Sequence, residues 1–202
     1  MSTPRHVARC IALLVMLAVA AGGCARARTA PDLGGQVPSS SSQQSVASVQ
    51  PTTGLQSCDG LPSPGPVMQS WQALEFQCLA DGSTVRGSQL RGKPTVAIVW
   101  ASWCGPCREE LPLLVDFATS QQRVRVLGIG WKDQPTALQA YARDARLAFP
   151  TIVDREAAIA AALGINSQPT LLLIDADGSV VHVHRAAVSS AAQLSALVQE
   201  YL

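Results

Sequence analysis

The stretch from Val96 to Pro112 constrains the fold of this chain more than any other feature. It opens on Val96-Ala-Ile-Val-Trp100, an uninterrupted apolar run of the kind that forms a strand buried on both faces. Two thiols separated by Gly-Pro follow, Cys104-Gly-Pro-Cys107, and a helical pattern begins there. A strand that runs into a helix in this way sets Cys104 at the helix N-terminus, where free N–H groups and the macrodipole favour a thiolate. A cysteine with its pKa lowered to about 7 is roughly half ionised near neutrality, against a few per cent for an ordinary one. Cys107 lies one turn later and is placed to attack a mixed disulfide on Cys104 and release the product. The residues therefore predict a dithiol–disulfide exchange site.

The rest of the composition excludes several partners. Fifteen Lys and Arg oppose 14 Asp and Glu, scattered over 202 residues with no polybasic block or acidic tail, so no nucleic-acid partner is expected. Residues 1–24 read as an export signal, with Arg5, His6 and Arg9 ahead of an apolar run from Ile11 to Ala21 that is too short to span a bilayer comfortably. Ala21-Gly-Gly-Cys24 is similar to a bacterial lipoprotein box, with Ala21 in place of the usual Leu. On that reading Cys24 is lipidated, and the protein sits on the extracytoplasmic face of the cell membrane. Cleavage after Ala25-Arg-Ala27 is the alternative and would give a secreted protein. Of the six cysteines, Cys10 leaves with the signal and Cys24 is lipidated or removed, so an even four remain in a compartment where disulfides persist.

Residues 25–57 are rich in Ser, Gln, Pro, Gly and Thr and read as a flexible tether without contacts of its own, spanning roughly 30 Å by random-coil scaling. The folded domain is expected over 58–202. Its predicted elements are a strand over Trp71 to Leu79, a short strand near Ser83 to Val85, the strand Thr95 to Trp100, and a helix over Pro106 to Ser120 kinked at Pro112. Next come a strand over Arg123 to Gly130, a helix over Pro135 to Leu147, and a strand at Thr151 to Val153. An Ala-rich helix from Arg155 to Leu163 is stopped by Gly164. A hairpin over Leu171 to His184 and a helix over Ser190 to Leu202 close the chain. This order predicts an α/β fold, a mixed central sheet with helices on both faces.

These residues resemble the thioredoxin-like superfamily, in its exported TlpA/ResA/DsbE-like branch. The resemblance is carried by Trp100 to Pro112, by Arg91-Gly-Lys-Pro94, by Gln168-Pro-Thr170 and by Asp175-Ala-Asp-Gly178, and it covers Met68 to Leu202. It implies a thioredoxin-like fold with an N-terminal hairpin and, over Trp131 to Val153, the central insertion of this branch. It further implies that Pro169 is a cis-proline facing the two thiols, presenting the backbone of Gln168 to an extended substrate. Gln168 replaces the small or β-branched residue usual there. Where plain thioredoxins place a buried Asp six residues before the first cysteine, this chain has Ile98. Glu110 takes the place of a glutamate that lies near the buried thiol in reductive members, which implies a proton shuttle for Cys107. The alternative for Glu110 is a solvated helix-surface carboxylate, the role expected of Glu109. Trp103 is expected to flank the reactive sulfur, with Trp100 in the core and Arg108 near the thiolate or simply on the surface. Cys58 and Cys78 are expected to form a structural disulfide; the alternative is a second redox pair.

The function implied is an exported thiol–disulfide oxidoreductase that reduces protein disulfides such as those of apocytochrome c, with a CcdA-like membrane reductase as electron donor and no cofactor or metal. Two alternatives stay open: an oxidase that introduces disulfides, and, from another class, a metallochaperone or non-catalytic binding module. His182 and His184 alternate on one strand face and are expected to be solvated.

Overall fold

The computed structural model describes residues 48–202. Among these residues one mixed sheet of seven strands is built from β1 (Glu75–Cys78), β2 (Thr84–Arg86), β3 (Thr95–Trp100), β4 (Arg125–Trp131), β5 (Thr151–Asp154), β6 (Thr170–Ile174) and β7 (Val180–His184), in the order β2-β1-β5-β4-β3-β6-β7. β3, β4 and β5 are parallel, while β6 runs antiparallel to β3 and β1 antiparallel to β5. The helices are α1 (Gly105–Ser120), α2 (Pro135–Asp144), α3 (Ala158–Leu163) and α4 (Ala191–Tyr201).

All six residues of β3 are buried because the sheet is covered on both sides. Val96, Ile98 and Trp100 point to a core shared with Leu111, Leu114, Leu138 and Leu194, so α1, α2 and α4 lie on that face. Ala97 and Val99 point to the other core, with Trp71, Phe76 and Ile159, under α3 and the N-terminal turn. The two-residue period of a strand divides one apolar run between two cores. The register sets the site. β3 pairs β4 from Thr95↔Arg125 to Trp100↔Gly130, and Val99 lies opposite Thr170. The ends of β3 and β4 and the start of β6 therefore emerge at one end of the sheet.

Several elements differ from the sequence-based expectation. Trp71 to Leu79 is not one strand: a 3-10 turn, Ser70–Ala73, precedes β1. Buried Gln72 causes this, since its Oε1 accepts the Gln69 N–H at 2.8 Å and its Nε2 donates to the Gly178 carbonyl at 2.6 Å. α2 ends at Asp144 rather than Leu147, because Arg146 adopts φ 51° and the Arg146 and Leu147 N–H groups turn back to the carbonyls of Arg143 and Ala142. α3 starts at Ala158, after Asp154 accepts the Ala158 and Ile159 N–H groups, and it stops at Gly164, whose φ of 64° suits glycine. Pro112 lies inside α1, which continues to Ser120.

The contacts of the domain also begin before Cys58. Val49 is buried, Thr52 N–H donates to the Ala80 carbonyl at 2.8 Å, and Gln139 Nε2 donates to the Gln50 carbonyl at 2.7 Å. The part of the expected spacer from Val49 onward thus has contacts of its own, made by backbone groups that composition does not register. The expected signal, lipid-bearing Cys24 and most of the tether lie outside the described residues.

Candidate active site

Cys104 is the N-cap of α1, and its sulfur accepts the Cys107 N–H at 3.2 Å. The local chemistry accounts for this. Gly105 and Pro106 open the helix, and Pro in its first turn removes only an N–H that would have had no helical partner. Cys104 and Cys107 are joined by a disulfide with Cα atoms 5.3 Å apart. Cys104 is 5% exposed and Cys107 fully buried. Trp103 beside it is 60% exposed, while Trp100 is core and packs on Tyr141 with ring centroids 5.7 Å apart. The Arg108 guanidinium lies 4.9 Å from the Tyr141 ring centroid.

From the start of β6, the Gln168–Pro169 peptide bond is cis and enters the same end of the sheet. Pro169 is buried and Gln168 partly exposed. Thr170 Oγ1 donates to the Ser167 carbonyl at 2.9 Å and closes this turn.

Glu110 is 2% exposed, which removes the solvated-surface alternative and leaves that role to Glu109. Its Oε1 accepts the Val188 N–H at 3.1 Å, while Oε2 is buried without a hydrogen-bond partner. Burial raises its pKa to about 7, against the opposing pull of the Val188 N–H. A cavity of about 280 Å³ lined by Pro106, Glu109, Glu110, Leu113, Val188 and Ser189 lies on this side of α1. Ile98 is fully buried on β3 and supplies no titratable group.

One residue of this region carried no sequence signal. Asp133, between β4 and α2, is buried, and its Oδ2 accepts the Ser102 N–H at 2.7 Å. It lies two residues after β4, at the same end of the sheet as the thiols, a placement visible only once the strands are paired.

Away from this end, Cys58 and Cys78 form a disulfide with Cα atoms 6.0 Å apart, and both are buried. His182 and His184 are partly buried rather than solvated: the His182 ring stacks on Tyr201 of α4 with centroids 3.9 Å apart, and His184 lies beside His182 with ring centroids 6.2 Å apart. Among the described residues, no group of three or more His, Cys, Asp or Glu is arranged to hold a metal ion, and no helix is long and apolar enough to cross a membrane.

The architecture is a thioredoxin-like α/β fold, and comparison with known proteins agrees. The profile of the Redoxin family matches residues 63–198. The chain is 37% identical over 106 residues to the thiol:disulfide interchange protein DsbE of Xylella fastidiosa, covering 52% of this chain and 53% of that protein. It is 29% identical over 102 residues to the thiol-disulfide oxidoreductase ResA of Geobacillus thermodenitrificans, covering 50% and 59%. The chain thus spans little more than half the length of these curated relatives. Among solved structures, MTB dsbF in its mixed oxidised and reduced forms superposes with a TM-score of 0.60 at 28% identity, over 66% of this chain and 98% of that one.

Proposed function

This chain belongs to the Redoxin family, and on that premise we propose that it is an exported thiol–disulfide oxidoreductase that reduces disulfides in other proteins. The observation that carries the reading is the Cys104–Cys107 pair at a helix N-terminus, with the first cysteine 5% exposed at the helix cap and the second fully buried behind it.

In the reduced protein, Cys104 thiolate attacks one sulfur of a substrate disulfide and expels the other as a thiolate. Cys107 then attacks Cys104 in the mixed disulfide, which frees the second substrate thiol and closes the Cys104–Cys107 bond. Two electrons pass from the dithiol to the substrate; the Cys107 proton leaves by way of Glu110, and the two substrate thiolates released take their protons from Glu110 and solvent. The Cys107 N–H at 3.2 Å stabilises charge on Cys104. Glu110, with a pKa of about 7, is suited to take the proton that Cys107 must lose before it attacks. Gln168 and Pro169 offer an extended segment to the substrate backbone, and exposed Trp103 offers it an apolar contact. Cys58–Cys78 serves as a structural staple. Lipidation at Cys24 would hold the domain at the extracytoplasmic face, where a CcdA-like membrane reductase returns electrons and apocytochrome c is the favoured substrate.

The test is the reduction potential of the Cys104/Cys107 couple in equilibrium with glutathione, measured beside insulin-disulfide reduction. A potential near that of thioredoxin, about −270 mV, fits a reductant, whereas one near −120 mV makes the protein an oxidase.

A further inference from the structure

The turn that delivers Cys104 is held from another element by a single buried carboxylate. Asp133 is 7% exposed, its Oδ2 accepts the Ser102 N–H at 2.7 Å, and its Oδ1 accepts the Gln134 N–H at 2.7 Å. Ser102 is the second residue of a four-residue turn that Cys104 N–H closes on the Ala101 carbonyl at 3.1 Å. Cys104 in turn receives the Cys107 N–H on its sulfur. Among the described residues, no other hydrogen bond ties the backbone of Ser102 or Trp103 to a different element. Hydrogen bonds to an ionised acceptor are about twice as strong as neutral ones, and burial protects them from competition by water.

We propose that Asp133 is a positioning residue for thiol exchange: by holding Ser102 it fixes the Cys104 sulfur over the N–H groups that open α1. This rests on the redox reading of Cys104 and Cys107. Stabilisation of a thiolate by a helix terminus fades within a turn and depends on direction, so a loosened cap turn lowers the ionised fraction of Cys104. The negative charge of Asp133 acts through space in the opposite sense, since a like charge disfavours the thiolate. The two roles therefore predict opposite signs. The other charged groups near Cys104 in sequence or beside Asp133 are Arg108, Glu109 and Glu110 in the first two turns of α1, whose remaining charge is Asp116 further along, and Lys132 next to Asp133; the segment Ser167 to Pro169 carries none.

The measurement is the alkylation rate of Cys104 by iodoacetamide in the reduced full chain at pH 7, with thiolate absorbance in the ultraviolet as a second readout. Asp133→Ala is expected to slow alkylation about tenfold, as misplacement of a reacting atom does. Asp133→Asn removes the charge but keeps an oxygen for the Ser102 N–H, so it should restore most of that loss. Adding Ser102→Pro to Asp133→Ala should also restore it, because proline at the second position of a turn presets its backbone without the bond to Asp133. Faster alkylation in the Ala and Asn variants overturns the assignment in favour of charge. An unchanged rate with a lowered melting temperature also overturns it, leaving Asp133 a purely structural role. Should Asp133→Ala fail to fold, recovery by Ser102→Pro supports the assignment and failure to recover overturns it. Loss of the oxidoreductase reading would show separately, as a wild-type protein that does not reduce insulin disulfides.

Discussion

Cys58–Cys78 joins residues separated by 20 in sequence, whereas Cys104–Cys107 joins residues separated by 3. The first bridge ties a loop to the end of β1, with both sulfurs enclosed in one core and neither residue at a helix start. The second sits on a helix cap, with an N–H aimed at its outer sulfur and a buried carboxyl on the next turn of the same helix. Opening the long bridge would release loop entropy and leave two buried thiols with nothing to ionise them. On the proposed reading, opening the short one frees a sulfur that already receives the Cys107 N–H. On that reading, surroundings more than the bond itself would separate a staple from a reagent.

The sharpest way to break this contrast is Cys104→Ser, expected to lower insulin-disulfide reduction by about a thousandfold or more, as loss of a nucleophile does. Cys107→Ser should instead accumulate a mixed disulfide with substrate, visible on a non-reducing gel. Replacing both Cys58 and Cys78 by Ser should cost about 3 kcal/mol of stability in the chain-entropy account, read by urea denaturation. The folded variant should retain its exchange rate, and a parallel loss of activity would make that bridge part of the redox path.

Glu110 gives a smaller effect with a defined sign. Its pKa is raised in the folded state to about 7, so its stabilising contribution is complete below its ordinary value of 4.5 and is lost as pH rises through 7. The loss is on the order of 3 kcal/mol between those limits. Glu110→Gln should flatten this part of the stability profile and slow resolution by Cys107 about tenfold at neutral pH. A wild-type slope retained in the variant would assign it to another group. Smallest of all, Trp103→Ala should lower kcat/KM for a protein disulfide about threefold and leave the melting temperature unchanged, as expected for an exposed apolar contact. Equal loss on a small disulfide such as oxidised glutathione would show that Trp103 acts on the sulfur itself.

Legibility in the chain followed the range of the interaction. β3, the start of α1 at the thiols and the stop of α3 at Gly164 were readable because apolar period and capping are local. Trp71 to Leu79 misled because its alternation imitated a strand, while Gln72 was bound to Gly178, 106 residues away. His182 looked solvated because nothing near it in sequence announces that Tyr201 will stack on it. Glu109 and Glu110 are adjacent and identical in type, and only the second is buried.

The amino-acid order alone establishes the two thiols, their spacing and the strand and helix that flank them, since each depends on neighbours within a few residues. Tertiary structure decides which carboxyl is withdrawn from water, which backbone N–H of the active-site turn is held, and which proline faces that end of the sheet. Glu110 meets Val188 across 78 residues and Asp133 meets Ser102 across 31. The second contact follows from the parallel register of β3 against β4 and the first from α1 meeting the segment after β7; neither leaves a periodic trace in the chain.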